Sequence, residues 1–335
     1  MSTAMNPPSA FESLLLHAAG ALLAPRGKNA RLLILIYHQV FERHDPLIPT
    51  EPDAAAFAAQ ADLLARHFNV LPLTEAVERL RRRSLPPRAV CITFDDGYAN
   101  NFSVAQPILA KRRLPATIFV APGFLDGGRM FNDTIIESLR RAPEEFDLQR
   151  FGLPRYRLDS MGARVQAYGD LINRLKHRDP VERLRFSEEI GTLVGTALPS
   201  DLMMTSAQVA ALARSGIEIG AHTMHHPILA SIDAETARTE ITRSKQRLEE
   251  LTEKPVRTFA YPNGKPTTDY RPEHVQLARE AGFDLALSTA WGAASHSSDM
   301  FQLPRVAPWD RTALRYALRM LTAYRAEAAP TAALA

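Results

Sequence analysis

Short apolar runs alternate with helix-like stretches along much of this chain, with a repeat of about 25–30 residues. The runs contain few polar residues, which is typical of strands buried on both faces, as in a parallel sheet. The clearest runs are residues 32–37, 89–94 and 116–121. We therefore expect an α/β fold, a closed or nearly closed barrel of about seven or eight strands. An open doubly wound sheet would give a similar pattern and is the alternative.

The alternation breaks after Gly123 and resumes near residue 205. Residues 124–202 are polar and carry no clear strand. Three segments within this range are helix-like. One begins at Phe131, and the other two are residues 165–175 and 182–194. We expect a mainly helical insertion that forms a cap or lid.

The insertion interrupts a main domain that we expect to span residues 31–310. Before it we expect a leader with an amphipathic helix at 1–30, and after it a C-terminal helix and tail at 311–335. Within the main domain, Thr74 and Asp233 are expected to cap the helices that follow them.

Composition excludes several classes of protein. With 40 basic and 37 acidic residues the net charge is only +3, so we expect no nucleic-acid partner. The single cysteine, Cys91, lies inside an apolar run and is expected to be a core residue. No run approaches the roughly 18 apolar residues of a membrane helix. Residues 11–24 are expected to pack on the body, with membrane-surface contact or an export signal as alternatives.

Polar side chains stand where several of the expected strands end. They are His38, Asp95, Asp96, His222, His226, Tyr261 and Asn263. The carboxyl ends of parallel strands face one side of such a fold, so we expect these residues to gather there. This expectation comes from the topology alone.

Two of these clusters suggest a metal site. Asp95 and Asp96 are adjacent carboxylates, which repel each other unless a cation, a shared proton or water separates them. His222 and His226 are four residues apart, in a segment that ends at Pro227 and is expected to be a loop or a single turn. One carboxylate with two imidazoles suits zinc, cobalt, nickel or manganese.

At this point the chain resembles a known family. The sequences Thr-Phe-Asp-Asp-Gly-Tyr at 93–98 and His-Thr-Met-His-His at 222–226 resemble the first two motifs of the polysaccharide deacetylases. This is the NodB-homology group, carbohydrate esterase family 4, and the resemblance covers about residues 31–310 apart from the insertion. It implies a distorted (β/α) barrel and metal-dependent deacetylation.

The resemblance also implies roles for the motif residues. Asp95 would be the general base, and Asp96, His222 and His226 would hold a divalent metal. That metal is expected to be Zn2+, with Co2+, Ni2+ or Mn2+ as alternatives. The backbone amide of Tyr98 would help to stabilise the oxyanion.

The chain departs from the commonest family pattern at the general acid. Many members carry Leu-x-His near the C-terminus, whereas this chain has Leu303, Pro304 and Arg305. Ala260 also stands where a family arginine is usual. Tyr37-His38 is similar to a permuted branch that includes the poly-N-acetylglucosamine deacetylases, which implies His38 as the acid. A core histidine bonded to backbone is the alternative, and His296 is another source of the acid.

Further residues are weaker candidates. Tyr261 and Asn263 are expected to line the site, unless they serve only the turn they form. Trp291, with Trp309, would be a sugar-stacking wall or ordinary packing. Arg305 would either hold Asp95 ionised or form a structural salt bridge.

The insertion and the second motif add two more candidates. Asn132 and Asp133 would either cap a helix or overhang the pocket. His225, between the two expected ligands, is expected to face solvent.

The expected activity is hydrolysis of acetyl groups from N-acetylated sugars. The substrate would be an oligosaccharide, a polysaccharide or a lipid-linked sugar precursor. The alternatives are a deformylase or cyclic-amide hydrolase on the same scaffold, and a non-catalytic glycan-binding domain. We expect a cytoplasmic protein, with the inner membrane face or export as alternatives.

Overall fold

The computed structural model describes residues 23–310, 312–326 and 330–333. The expected N-terminal leader lies almost wholly in residues 1–22, outside the described residues, so it stays a prediction. The strands of the described chain are β1 Leu32–Tyr37, β2 Asn69–Val70, β3 Ala89–Phe94, β4 Thr117–Val120, β5 Glu145–Asp147, β6 Arg155–Arg157, β7 Glu218–Ala221, β8 Thr258–Ala260, β9 Leu285–Trp291 and β10 Leu303–Arg305.

Eight of these strands form one parallel sheet in the order β1-β3-β4-β7-β8-β9-β10, with β2 paired to the start of β3. The sheet closes on itself at Val306, directly after β10. Its amide donates to the Ile34 carbonyl at 2.9 Å, and its carbonyl accepts from the Ile36 amide at 3.0 Å. The expected barrel is confirmed, and the open sheet is excluded because β10 returns to β1.

Helices surround this barrel and link its strands. Their bounds are α1 Ala54–His67, α2 Leu73–Arg81, α3 Gln106–Arg112, α4 Phe131–Arg141, α5 Met161–Leu175, α6 Pro180–Thr192, α7 Ser206–Arg214, α8 Ala234–Thr252, α9 Pro272–Glu280 and α10 Ala313–Arg325. Asp233 caps α8 as expected, accepting from the Thr236 amide. Thr74 does not cap α2, which begins one residue earlier after Pro72. The Thr74 hydroxyl donates to half-buried Glu218 instead.

The insertion folds around a small core of its own. Buried side chains from α4, α5 and α6 meet there, among them Leu139, Leu171 and Ile190. The helices were expected, but the antiparallel hairpin of β5 and β6 was not. Each hairpin strand has one aromatic residue between charged neighbours, Phe146 in β5 and Tyr156 in β6, which is too short a pattern to mark a strand.

The strands of the barrel are almost entirely buried. All residues of β1 and β3 are buried, and Cys91 lies among them as a free core thiol, as predicted. Within the described ranges, no helix combines the length and the apolar character that crossing a membrane requires.

Candidate active site

A cavity of about 380 Å³ opens at the carboxyl ends of the barrel strands. The motif after β3 and the motif after β7 meet in its floor, because β3 and β7 both pair with β4. Predicted residues that line it are His38, Asp95, Asp96, Tyr98, His222, His226 and Asn263. The structure therefore brings together most of the polar residues expected at the strand ends.

Three of these side chains point their donor atoms at one another. Asp96 Oδ1 lies 3.4 Å from His222 Nε2 and 3.3 Å from His226 Nε2. The three donor atoms lie within 4.8 Å of one another. This is the carboxylate and imidazole set expected from the sequence.

The donor set fits a divalent cation. Among the described residues, Asp96 Oδ1 and His222 Nε2 are buried and have no hydrogen-bond partner, and such orphaned atoms are rare. His222 Nδ1 lies 2.7 Å from the Ala260 carbonyl, so that nitrogen carries the proton. The Nε2 lone pair is then directed at Asp96, as in metal sites that use a carbonyl to fix the tautomer.

The protonation states agree with this fit. Burial lowers the pKa of His226 to about 4, so its imidazole is neutral at pH 7 and free to bind a metal. Burial alone would raise the pKa of Asp96. The imidazoles of His222, His226 and His38 around it instead hold that pKa below the usual range.

The backbone around the site is held in an uncommon conformation. Asp96, Thr223, His226 and Asn263 have positive φ angles of 76°, 58°, 52° and 58°. Residues other than glycine seldom adopt this left-handed region, and each such residue costs about 1–3 kcal/mol. The loops thus give up some stability to hold Asp96, His226 and Asn263 at the cavity.

Asp95 has a buried counter-ion. Arg305 donates from Nη1 and Nη2 to the two Asp95 carboxylate oxygens, each at 2.7 Å, and from Nε to the Ser288 carbonyl at 2.9 Å. Burial would raise the pKa of Asp95, but Arg305 and His222 hold it below its usual value. Of the alternatives left open from the sequence, the structure shows Arg305 paired with this pocket carboxylate.

His38 lies on the cavity wall rather than in the core. It follows β1, its side chain is 43% exposed, and its Nδ1 lies 3.8 Å from Glu51 Oε1. Burial lowers its pKa, but the carboxylates of Asp96 and Glu51 outweigh that effect and the pKa is raised. Asn101 Nδ2 donates to the His38 carbonyl at 2.8 Å and so fixes the loop.

Tyr261 was expected to line the cavity, and its side chain does not. It is buried, stacks on Tyr270 with ring centroids 3.9 Å apart, and donates its hydroxyl to the Phe301 carbonyl at 3.0 Å. Side chains alternate along a strand, so Tyr261 shares the outward face of Phe259 in β8.

Trp291 does not line this cavity either. β9 continues past Thr289, which lines the cavity, and Trp291 emerges 46% exposed beyond it. Trp309 is covered by the Arg319 guanidinium at 4.6 Å. His225 pairs with Glu240 at 2.8 Å on the exposed side, as predicted, and His296 is exposed in its serine-rich loop.

The insertion contacts Tyr98, in the loop that follows β3. The Tyr98 hydroxyl donates to Asp133 Oδ1 at 2.9 Å, and Asn132 Nδ2 donates to the Tyr98 hydroxyl at 3.2 Å. Met130, not Asn132 or Asp133, is the N-cap of α4, so the capping alternative is wrong. Burial raises the pKa of Asp133 to about 7.

Helix α5 supplies a further part of the cavity wall. Its residues Tyr168 and Ile172, with Lys176 directly after it, line the cavity. No sequence signal marked them, because they belong to an ordinary amphipathic helix whose partner face only the fold reveals.

Comparison with known proteins agrees with this geometry. The family model for polysaccharide deacetylases matches residues 82–146 and 189–286. The Bacillus subtilis (strain 168) protein YxkH, whose name places it among polysaccharide deacetylases, is 22% identical over 280 residues, which are 83% of this chain and 72% of YxkH.

Solved structures share the fold. The deacetylase PplD of Streptococcus pyogenes, in complex with acetate, has a TM-score of 0.58 and 19% identity, over 87% of this chain and 98% of its own. IcaB from Ammonifex degensii has a TM-score of 0.56 and 20% identity, over 88% and 98%. The BpsB deacetylase domain of Bordetella bronchiseptica has a TM-score of 0.53 and 18% identity, over 84% and 97%.

The first matched segment carries Asp95 and Asp96, and the second carries His222 and His226. The family match thus includes both loops of the site and leaves out the centre of the insertion. The chain is thus similar to the polysaccharide deacetylase family in both of the segments that hold the site.

Proposed function

We propose that this protein is a polysaccharide deacetylase that hydrolyses the acetamide group of N-acetylated sugars with the help of a divalent metal, most simply Zn2+. The observation that carries the proposal is the pair of buried, unpartnered donor atoms, Asp96 Oδ1 and His222 Nε2, with His226 beside them. Two imidazoles and one carboxylate leave open positions on a zinc ion, as a catalytic site requires. Cobalt, nickel or manganese would suit the same donors.

A divalent cation held by Asp96, His222 and His226 would polarise an amide carbonyl and acidify a water molecule. Asp95 would accept the proton of that water. Arg305 supports this role because it keeps the Asp95 carboxylate ionised and fixes the direction of both oxygens. Asp95 Oδ2 lies 3.8 Å from His222 Nε2, so the base stands beside the metal donors.

His38 would donate a proton to the leaving amine. It reaches the cavity from β1, and its Nδ1 lies 3.8 Å from Glu51 Oε1, whose charge favours the protonated imidazole. The backbone amide of Tyr98 would donate to the oxyanion, a contribution of about 3–4 kcal/mol for one such donor. Asp133 and Asn132 hold the Tyr98 side chain and thereby the loop.

The substrate class would be an N-acetylated oligosaccharide, polysaccharide or lipid-linked sugar precursor. The test is acetate release from N-acetylglucosamine oligomers by the zinc-loaded full chain. We expect Asp95→Asn to lose at least about 100-fold in rate while it still binds zinc by calorimetry. We expect Asp96→Asn to lose zinc binding as well.

His296→Asn is the matched control, because His296 is an exposed histidine away from the site. It should keep both zinc binding and acetate release. Full activity in Asp95→Asn would remove the base assignment. Release of formate, or ring opening of a cyclic amide, without any acetate would overturn the substrate class.

A further inference from the structure

A second cavity, of about 520 Å³, adjoins the first. Met130, Phe131 and His226 line both of them. His226 therefore lies at the border between the two cavities. A ligand group in the second cavity, here called the outer groove, would lie directly beside a group at the proposed metal site.

The outer groove has apolar walls from two parts of the fold. Val181 and Leu184 of α6 stand three residues apart, on one face of the helix, and are 77% and 43% exposed. Phe124, Pro227 and Ile232 form apolar surface across from them. Such contiguous apolar surface around a cavity is typical of a ligand-binding groove.

Planar polar groups stand among these apolar side chains. Glu240 pairs with His225 at 2.8 Å. Arg183 is buried, lies with its guanidinium 4.2 Å from the centroid of the Phe131 ring, and donates to the Lys176 carbonyl at 3.0 Å. The mixture matches a sugar ring, which offers C–H faces to apolar groups and hydroxyl edges to charged ones.

The charges of the outer groove argue against an anionic ligand. Three carboxylates, Asp179, Asp233 and Glu240, line it against one arginine and the two histidines His225 and His226. Carboxylates repel a phosphate or carboxylate ligand, whereas they accept hydrogen bonds from neutral hydroxyls. A neutral sugar is therefore the occupant that the groove suits best.

We propose that the outer groove binds the sugar residue next to the one that is deacetylated, an inference that rests on the proposed function. The groove is a feature of this chain's own insertion, since Val181 and Leu184 fall in residues 147–188, between the two segments of the family match. The outer groove adjoins the cavity of the proposed metal site at His226. A glycan chain would therefore run from that cavity into the groove.

The test compares acetate release from N-acetylglucosamine monomer and tetramer. We expect the wild-type kcat/KM to be at least about tenfold higher for the tetramer, which corresponds to about 1.4 kcal/mol. Leu184→Glu and Val181→Glu should bring that ratio close to one, because a charge in the groove repels and obstructs the second sugar. Arg185→Glu, on the same helix but outside the groove, should keep the wild-type ratio.

A direct binding measurement separates this inference from the proposed function. Calorimetry of the tetramer with Asp95→Asn protein should show binding that the added Leu184→Glu substitution weakens at least about tenfold. Equal binding with and without Leu184→Glu would overturn the groove, whether or not acetate is released. Two results of the rate assay would overturn it too. One is a wild-type tetramer-to-monomer kcat/KM ratio of one, and the other is an equal loss of that ratio in Arg185→Glu.

Discussion

At the level of single residues, the buried pair of Asp95 and Arg305 is the most consequential contact of the site. We expect Arg305→Met to lower the free energy of unfolding by about 3–5 kcal/mol, because it leaves Asp95 buried without a partner. The pKa of Asp95 should rise, and acetate release should fall with it. Urea unfolding and the rate assay measure the two effects.

An exposed ion pair provides the control for that substitution. Arg238 donates to Glu280 at 2.7 Å, with both side chains largely accessible. Arg238→Met should cost no more than about 1 kcal/mol, since exposed pairs contribute little. Equal losses in the free energy of unfolding for Arg305→Met and Arg238→Met would contradict the prediction that burial makes the Asp95 pair important.

Asp133 should make stability depend on pH. Burial raises its pKa in the folded protein to about 7, whereas an unfolded aspartate titrates near 3.9. The folded state therefore binds the proton more tightly, and stability falls as pH rises from about 4 to 7. We expect the stability of Asp133→Asn relative to wild type to increase by about 2–3 kcal/mol between pH 5 and pH 8.

Metal-free protein is the sample for this measurement, by urea unfolding at both pH values. Asp201→Asn, at an exposed position, is the control. Its stability relative to wild type should change by less than about 0.5 kcal/mol between pH 5 and pH 8. A stability difference for Asp133→Asn that does not change with pH would show that Asp133 stays ionised throughout.

At the level of elements, the insertion should respond to mutation as a separate unit. Leu171 is fully buried in the insertion core, so we expect Leu171→Ala to cost about 2–5 kcal/mol of local stability. Hydrogen exchange should then speed up in residues 131–192 and stay unchanged in the barrel strands. Leu35→Ala, in the barrel core, is the matched control and should speed exchange in the barrel.

The strands differ in how far the sequence revealed them. β1 and β3 are continuous apolar runs, and their bounds were predicted to the residue. β10 was missed because Pro304 stands in its middle, and proline within a run argues against a strand. It is tolerated here next to an irregularity in the pairing of β9 with β10.

At the level of the whole molecule, closure of the barrel rests on Val306. We expect Val306→Pro to destabilise the protein by at least about 1–3 kcal/mol, because it removes the amide that pairs with the Ile34 carbonyl. Activity should fall as well, since Arg305 precedes it and pairs with Asp95. Val306→Ala keeps the amide and should keep most of the activity. Chemical unfolding and acetate release distinguish them.

The sequence by itself determined the strand ends and the polar residues on them. An apolar run followed by Asp95 and Asp96, or by His222, is a local pattern, and parallel topology brings such ends to one side. The same reasoning predicted His38 and Asn263, which line the cavity. These predictions needed only neighbouring residues and the direction of the strands.

Only the tertiary structure decided which side chains meet. Asp95 and Arg305 lie 210 positions apart and become partners because β10 closes the barrel beside β1. Tyr261 stacks on Tyr270 and not in the cavity, and the insertion brings Asp133 to Tyr98 and part of the outer groove to His226. Such contacts depend on the register of strands and the docking of helices, which are set by packing across the whole core rather than by local sequence.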